Sequence, residues 1–107
     1  MTTPYFTKDQ LARLPKLYAT EDTALDNKKV IVKLFHLASN WSWYVIEYDG
    51  DDTCWGLVDG FELEYGYFSL LKLSQAVGPF GFRVERDKWF TPTTVAKVVA
   101  AIAKGVS

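Results

Sequence analysis

An α+β fold is predicted: an antiparallel four- to five-stranded meander sheet with short N-terminal, middle and C-terminal helices. Two observations carry it. Between about residues 29 and 68, β-branched and aromatic runs with period-2 alternation are joined by turns too short to hold a crossover helix. Helix start and stop signals lie outside those runs, before, after and at the end of the chain, so helices and strands are segregated in sequence. With 107 residues, positions 1–107 fit a single domain, because either half would bury too little surface to fold alone.

Thr7 with Gln10 forms a capping-box pattern and opens a helix from Lys8 to about Leu14, which Pro15 closes. A polar loop from Thr20 follows, with a turn at Asp26-Asn27. Lys29 to His36 is the first strand and Trp41 to Asp49 the second, turned at Ser39-Asn40. Asp49-Gly50-Asp51-Asp52 leads into the third strand, Thr53 to Val58. Asp59-Gly60 reads as a two-residue hairpin loop into the fourth, Phe61 to about Phe68. Ser69 caps a helix from Leu70 to Val77, stopped by Gly78-Pro79. Phe80 to Arg86 returns as a fifth strand. Thr91-Pro92 opens the last helix with proline at its first position, and Val95, Val98, Val99 and Ile102 form its apolar stripe up to Gly105.

The two-residue loop at Asp59-Gly60 places Trp55, Leu57, Glu62 and Glu64 on one face and Cys54, Gly56, Val58, Phe61, Leu63 and Tyr65 on the other, the core side. A two-residue turn at Gly50-Asp51 adds Tyr44, Ile46 and Tyr48 to the Trp55 face; a bulge there exchanges the faces of that strand. Valine at Gly66 damages folding if the backbone approach there is tight.

The net charge of -1 conceals a segregated molecule. Between Lys33 and Lys72 there is no lysine or arginine, yet seven carboxylates and ten of the seventeen aromatic residues lie there. Acid interleaved with rings suits a surface that meets a basic partner: the field steers encounter and the aromatic area supplies burial. The partner-binding residues expected are Trp41, Trp43, Glu47, Asp49, Asp51, Asp52, Trp55, Asp59, Glu62 and Glu64. The plainer reading is a solvated acidic sheet face; the tryptophans beside the acids decide between the two, since they form an interface-like patch if helices do not cover them.

Other classes find less support. The single His36 ends an apolar strand, and no catalytic residue is assigned, so the chain is read as a non-enzyme. Asp49, Asp51 and Asp52 share a turn, but Asx-Gly turn chemistry explains them, so no metal or cofactor is expected. Cations are dispersed and the aromatic sheet is acidic, which argues against direct nucleic-acid binding. No apolar run is long enough to span a membrane, and a lone Cys54 fits a cytoplasmic protein.

Three stretches carry a resemblance: Leu14 to Glu21, Trp43-Tyr44 through Glu47 to Gly50, and Gly56 to Gly60 running to Glu64-Tyr65-Gly66-Tyr67-Phe68-Ser69-Leu70, with Glu85-Arg86-Asp87 beyond. The chain resembles, over roughly Leu11 to Thr94, a bacterial family classed as domain of unknown function 2958, met on plasmids, prophages and integrative elements. The resemblance implies a mobile-element accessory protein. Combined with the acidic window, it yields an anti-defence inhibitor, anti-CRISPR or anti-restriction. Such a protein would dock on a basic nucleic-acid-binding surface of a host protein or nucleoprotein defence complex. The alternative is a homodimeric structural or regulatory protein that self-associates through the aromatic sheet.

Overall fold

The computed structural model describes residues 5–105. The first helix, α1 (Lys8–Arg13), starts as its sequence requires: the Thr7 side chain accepts from the Gln10 amide, and Gln10 reaches back to the Thr7 amide. The expected first strand is divided at Ile31. Its start, β1 (Lys29–Val30), pairs with β7 (Thr93–Thr94), while its remainder, β2 (Val32–His36), joins the main sheet. The small β1–β7 ribbon fixes the entry to the last helix.

The strands β3 (Ser42–Tyr48), β4 (Thr53–Asp59) and β5 (Leu63–Ser69) continue β2 as an antiparallel meander. The fifth strand of the sheet, β6 (Val84–Arg86), lies beyond β2, giving the order β5-β4-β3-β2-β6. It is shorter than the sequence suggests because Pro79–Gly81 is a tight turn, with Phe80 at φ 59°. That left-handed backbone takes Phe80 out of any strand.

Between β5 and β6 runs α2 (Leu70–Gln75), N-capped by Ser69. The last helix, α3 (Val95–Ala103), is capped by Thr94, whose side chain accepts from the Lys97 amide. Pro92 therefore lies ahead of the cap and not at the first helical position, since Thr93 and Thr94 are taken up by β7.

Both faces of the sheet are covered over its central strands. Tyr5, Phe6, Leu14, Leu70 and Leu73 pack on Val32, Leu34, Trp43, Val45 and Cys54. On the opposite face, Val95 and Val98 of α3 pack on Val30, Tyr44, Ile46 and Leu57. All seven residues of β3 are buried in consequence. Each fully buried aliphatic side chain contributes about 1.5–3 kcal/mol before entropy is subtracted.

Two details of register decide which side chains share a face. Asp59 pairs with Leu63, so Gly60, Phe61 and Glu62 form a three-residue loop, one longer than a two-residue Asp-Gly turn. Because side chains alternate, that single residue reverses all of β5: Tyr65 and Tyr67 join Trp55 and Leu57, while Glu64 joins Val58. The second detail is a bulge in β3. Val45 faces Gly56 and Glu47 faces Trp55, leaving Ile46 as the extra residue. Glu47 thereby takes the Trp55 face, and Tyr48 the Cys54 face.

The bulge also relocates the tight glycine. A Cβ at Gly66 would meet nothing within 4 Å, so the condition under which valine would damage folding is not met. Replacing Gly66 with valine should leave the urea midpoint unchanged or raised, within about 1 kcal/mol, since strands favour β-branched residues. A large loss would show that β5 needs glycine for a reason its surroundings do not contain.

Candidate docking site

Of the ten residues expected to form one acidic aromatic face, nine separate into three groups and Trp43 lies in the core. Trp43 is only 8% exposed and Glu47 only 5%, so neither presents a surface to a partner. The covering segments close the sheet over β3, while much of β5 stays exposed. Sequence alternation could not show this, because the covering segments come from distant parts of the chain.

Asp49, Asp51 and Asp52 gather at the β3–β4 turn, where two of the three have structural work. One Asp49 carboxylate oxygen accepts from the amides of Asp51, Asp52 and Thr53 at 2.8, 2.8 and 3.1 Å. Asp52 accepts from the Leu71 amide at 2.7 Å and from the Ser69 hydroxyl, tying the turn to the start of α2. Among the described residues no group of three or more His, Cys, Asp or Glu side chains has a metal-holding arrangement.

Partial desolvation pushes the Asp49 carboxyl up, but the three backbone amides outweigh it and hold the group below its ordinary value of 3.8. A depressed folded-state pKa stabilises above the unfolded value and is lost as pH falls through the folded one. Asp49→Asn keeps an acceptor but not the charge. Thermal melts should therefore show wild type losing stability below about pH 4 more steeply than Asp49→Asn; parallel curves would refute the assignment.

Glu47 and Trp55 meet on the α3 face in a second group that the linear sequence conceals. The buried Glu47 carboxylate accepts from the amides of Tyr18 and Thr20 at 2.8 and 3.2 Å, and from the Thr20 hydroxyl. Lys28, also buried, donates to the Thr20 hydroxyl at 2.8 Å and to its carbonyl, and lies 5.5 Å from the Trp55 ring centre. Tyr18 is held at φ 70° by this latch. Tyr18, Glu21, Lys28, Glu47, Trp55 and Tyr67 line a cleft of about 260 Å³. No local signal announces the latch, as its members are 27 and 29 residues apart.

The third group lies at the β4–β5 end of the sheet. Trp41, half-buried, packs edge-on against Phe61 with ring centres 5.1 Å apart at 84°. Phe61 is 95% exposed. With Val58, Gly60, Glu62 and Glu64 these rings line a depression of about 200 Å³. Glu62 and Glu64 are exposed and form no ion pair among the described residues. Asp59 closes the strand beside them, half-buried. A two-residue loop would put Phe61 on the core side; the longer loop carries it into solvent instead.

His36 and Cys54 are both buried. His36 is buried, its Nε2 lies 3.0 Å from the Phe82 carbonyl, and its Nδ1 accepts from the Ala38 amide at 3.3 Å. The imidazole thus ties β2 to the segment before β6. Cys54 is fully buried, and burial pushes its thiol far above the ordinary range, leaving no thiolate at neutral pH. No helix among the described residues is long and apolar enough to cross a membrane.

Comparison with known families places nearly all of this architecture in one group. The model of a family described as protein of unknown function (DUF2958) matches residues 5–106. The chain belongs to the DUF2958 family. The match extends beyond Leu11 to Thr94 at both ends, so the DUF2958 model takes in α1 and α3 as well as the sheet. No curated protein and no solved structure matches the chain.

Proposed function

We propose that this DUF2958 protein is a non-enzymatic binding module. It docks the Trp41–Phe61 corner, with Glu62 and Glu64, on a basic surface of another macromolecule. One observation carries the reading: a phenylalanine 95% exposed in a turn, edge-on to a tryptophan and flanked by carboxylates with no cation near in sequence. A solvated loop has no need of a large apolar ring, whereas an interface anchor does. A lysine or arginine inserted there would gain ring contact and carboxylate pairing together.

The partner class follows from the mobile-element setting that the resemblance implies. It is the positively charged nucleic-acid channel of a host defence complex, and the activity is inhibition of that complex. Mixing the protein with such nucleases at low salt should give a complex that co-elutes and blocks nucleic-acid binding. Absence of any complex would remove the proposal.

The surface itself is tested by charge reversal. Replacing Glu62 and Glu64 with lysine should move the melting temperature by less than about 2 °C, because both are exposed. Association measured by stopped flow should slow by about tenfold or more, with its salt dependence reduced. Unchanged association would place the contact elsewhere.

A further inference from the structure

We propose that the outer edge of β5 accepts an extended basic segment of the partner as a sixth strand, an inference that rests on the docking reading above. β5 ends the sheet and is seven residues long, paired with β4 without a register shift. Backbone groups of Leu63 through Phe68 make no hydrogen bond among the described residues except with β4. Alternate residues therefore turn their N–H and C=O groups outward, unpaired. Sheets ordinarily protect such an edge with lysine, proline, a bulge or a covering segment, and β5 has none of the first three. Midway along it, Gly66 leaves open space.

The edge also connects the two depressions. Glu64 faces the Trp41–Phe61 corner, and Tyr67, three residues on and so on the opposite face, borders the Tyr18 cleft that Glu21 and Glu47 line. An added strand projects its residue opposite Glu64 into the corner and its residue opposite Tyr67 into the cleft. Both destinations combine rings with carboxylates. The matching segment carries cationic side chains three positions apart, and main-chain bonds to β5 supply the register.

Charge favours such a segment over a second copy of this chain. If two β5 strands paired antiparallel about Gly66, Glu64 would oppose Phe68, and neither strand holds a cation to meet it. The acidic window would then gain nothing from association.

The test uses the full chain, isotope-labelled, with the capped peptide Thr-Arg-Val-Thr-Arg-Val-Thr. Amide exchange at alternate residues of 63–69 should slow at least tenfold on adding peptide, and a Glu-for-Arg peptide should not bind. Glu64→Lys should weaken the peptide at least tenfold. Peptide binding that shifts Phe61 and Trp41 side-chain signals without slowing β5 exchange would overturn strand addition and leave corner docking standing. Failure of the peptide to bind would also overturn it, while the partner experiment judges the corner separately. Exchange that slows with protein concentration alone, together with a sedimenting dimer, would show a second copy on the edge and overturn the proposal.

Discussion

Gly56→Ala should be the most damaging single methyl addition in the molecule, lowering stability by about 3 kcal/mol or more. A Cβ at Gly56 would fall 1.9 Å from the Tyr44 carbonyl oxygen, 3.0 Å from its carbon and 3.2 Å from the Ile46 amide nitrogen. All three are backbone atoms of the central strand, and the bulge at Ile46 is what brings them so near. A side chain can rotate away from an intruding methyl; a strand buried on both faces cannot shift without disturbing both cores. In a domain of this size the loss corresponds to a fall of roughly 15 °C in melting temperature. A change of only a few degrees would mean that the bulge slides to accommodate the methyl, and that the register of β3 on β4 is not fixed by this glycine.

Glu47→Ala should cost about 3 kcal/mol, as expected when one member of a buried charged network is removed. The substitution strands the amides of Tyr18 and Thr20, which have no other acceptor among the described residues, and leaves the Lys28 ammonium buried without the carboxylate to which Thr20 links it. It also frees Tyr18 from the bond that holds its left-handed backbone. Glu47→Gln, which retains a carbonyl acceptor, should lose about half as much. Since the hydroxyl of Thr20 connects Lys28 to Glu47, a double-mutant cycle with Lys28→Met should return a coupling of about 1 kcal/mol, measured by urea denaturation. Additive losses would break the proposed chain of contacts, and a near-neutral Glu47→Ala would show the carboxylate to be solvated.

These two positions show how far the linear chain can be read. Thr7 with Gln10 and Ser69 announce helix starts because a cap is a bond between residues three apart, complete within one turn. The alternation in Trp43 to Glu47 marks a strand for the same local reason. Glu47, by contrast, is one acid among seven in its window, and nothing near it in sequence distinguishes it from Glu62 or Glu64. Its burial depends on Tyr18 and Thr20 folding over the sheet from 29 and 27 residues away. Gly56 likewise resembles Gly66 in sequence; only the bulge opposite makes one indispensable and the other spare.

Composition and short-range pattern were enough for the α+β class, the strands in chain order and the acidic, cation-free middle. Such features depend on neighbours along the chain. The distribution of that acid was decided in three dimensions. A three-residue loop after Asp59 reversed β5, an extra residue at Ile46 turned Glu47 inward, and the β1–β7 ribbon laid α3 over a face that alternation alone would leave open. Side-chain direction has a period of two, so one residue of loop or bulge inverts a whole strand, and what covers a sheet comes from segments far away in sequence.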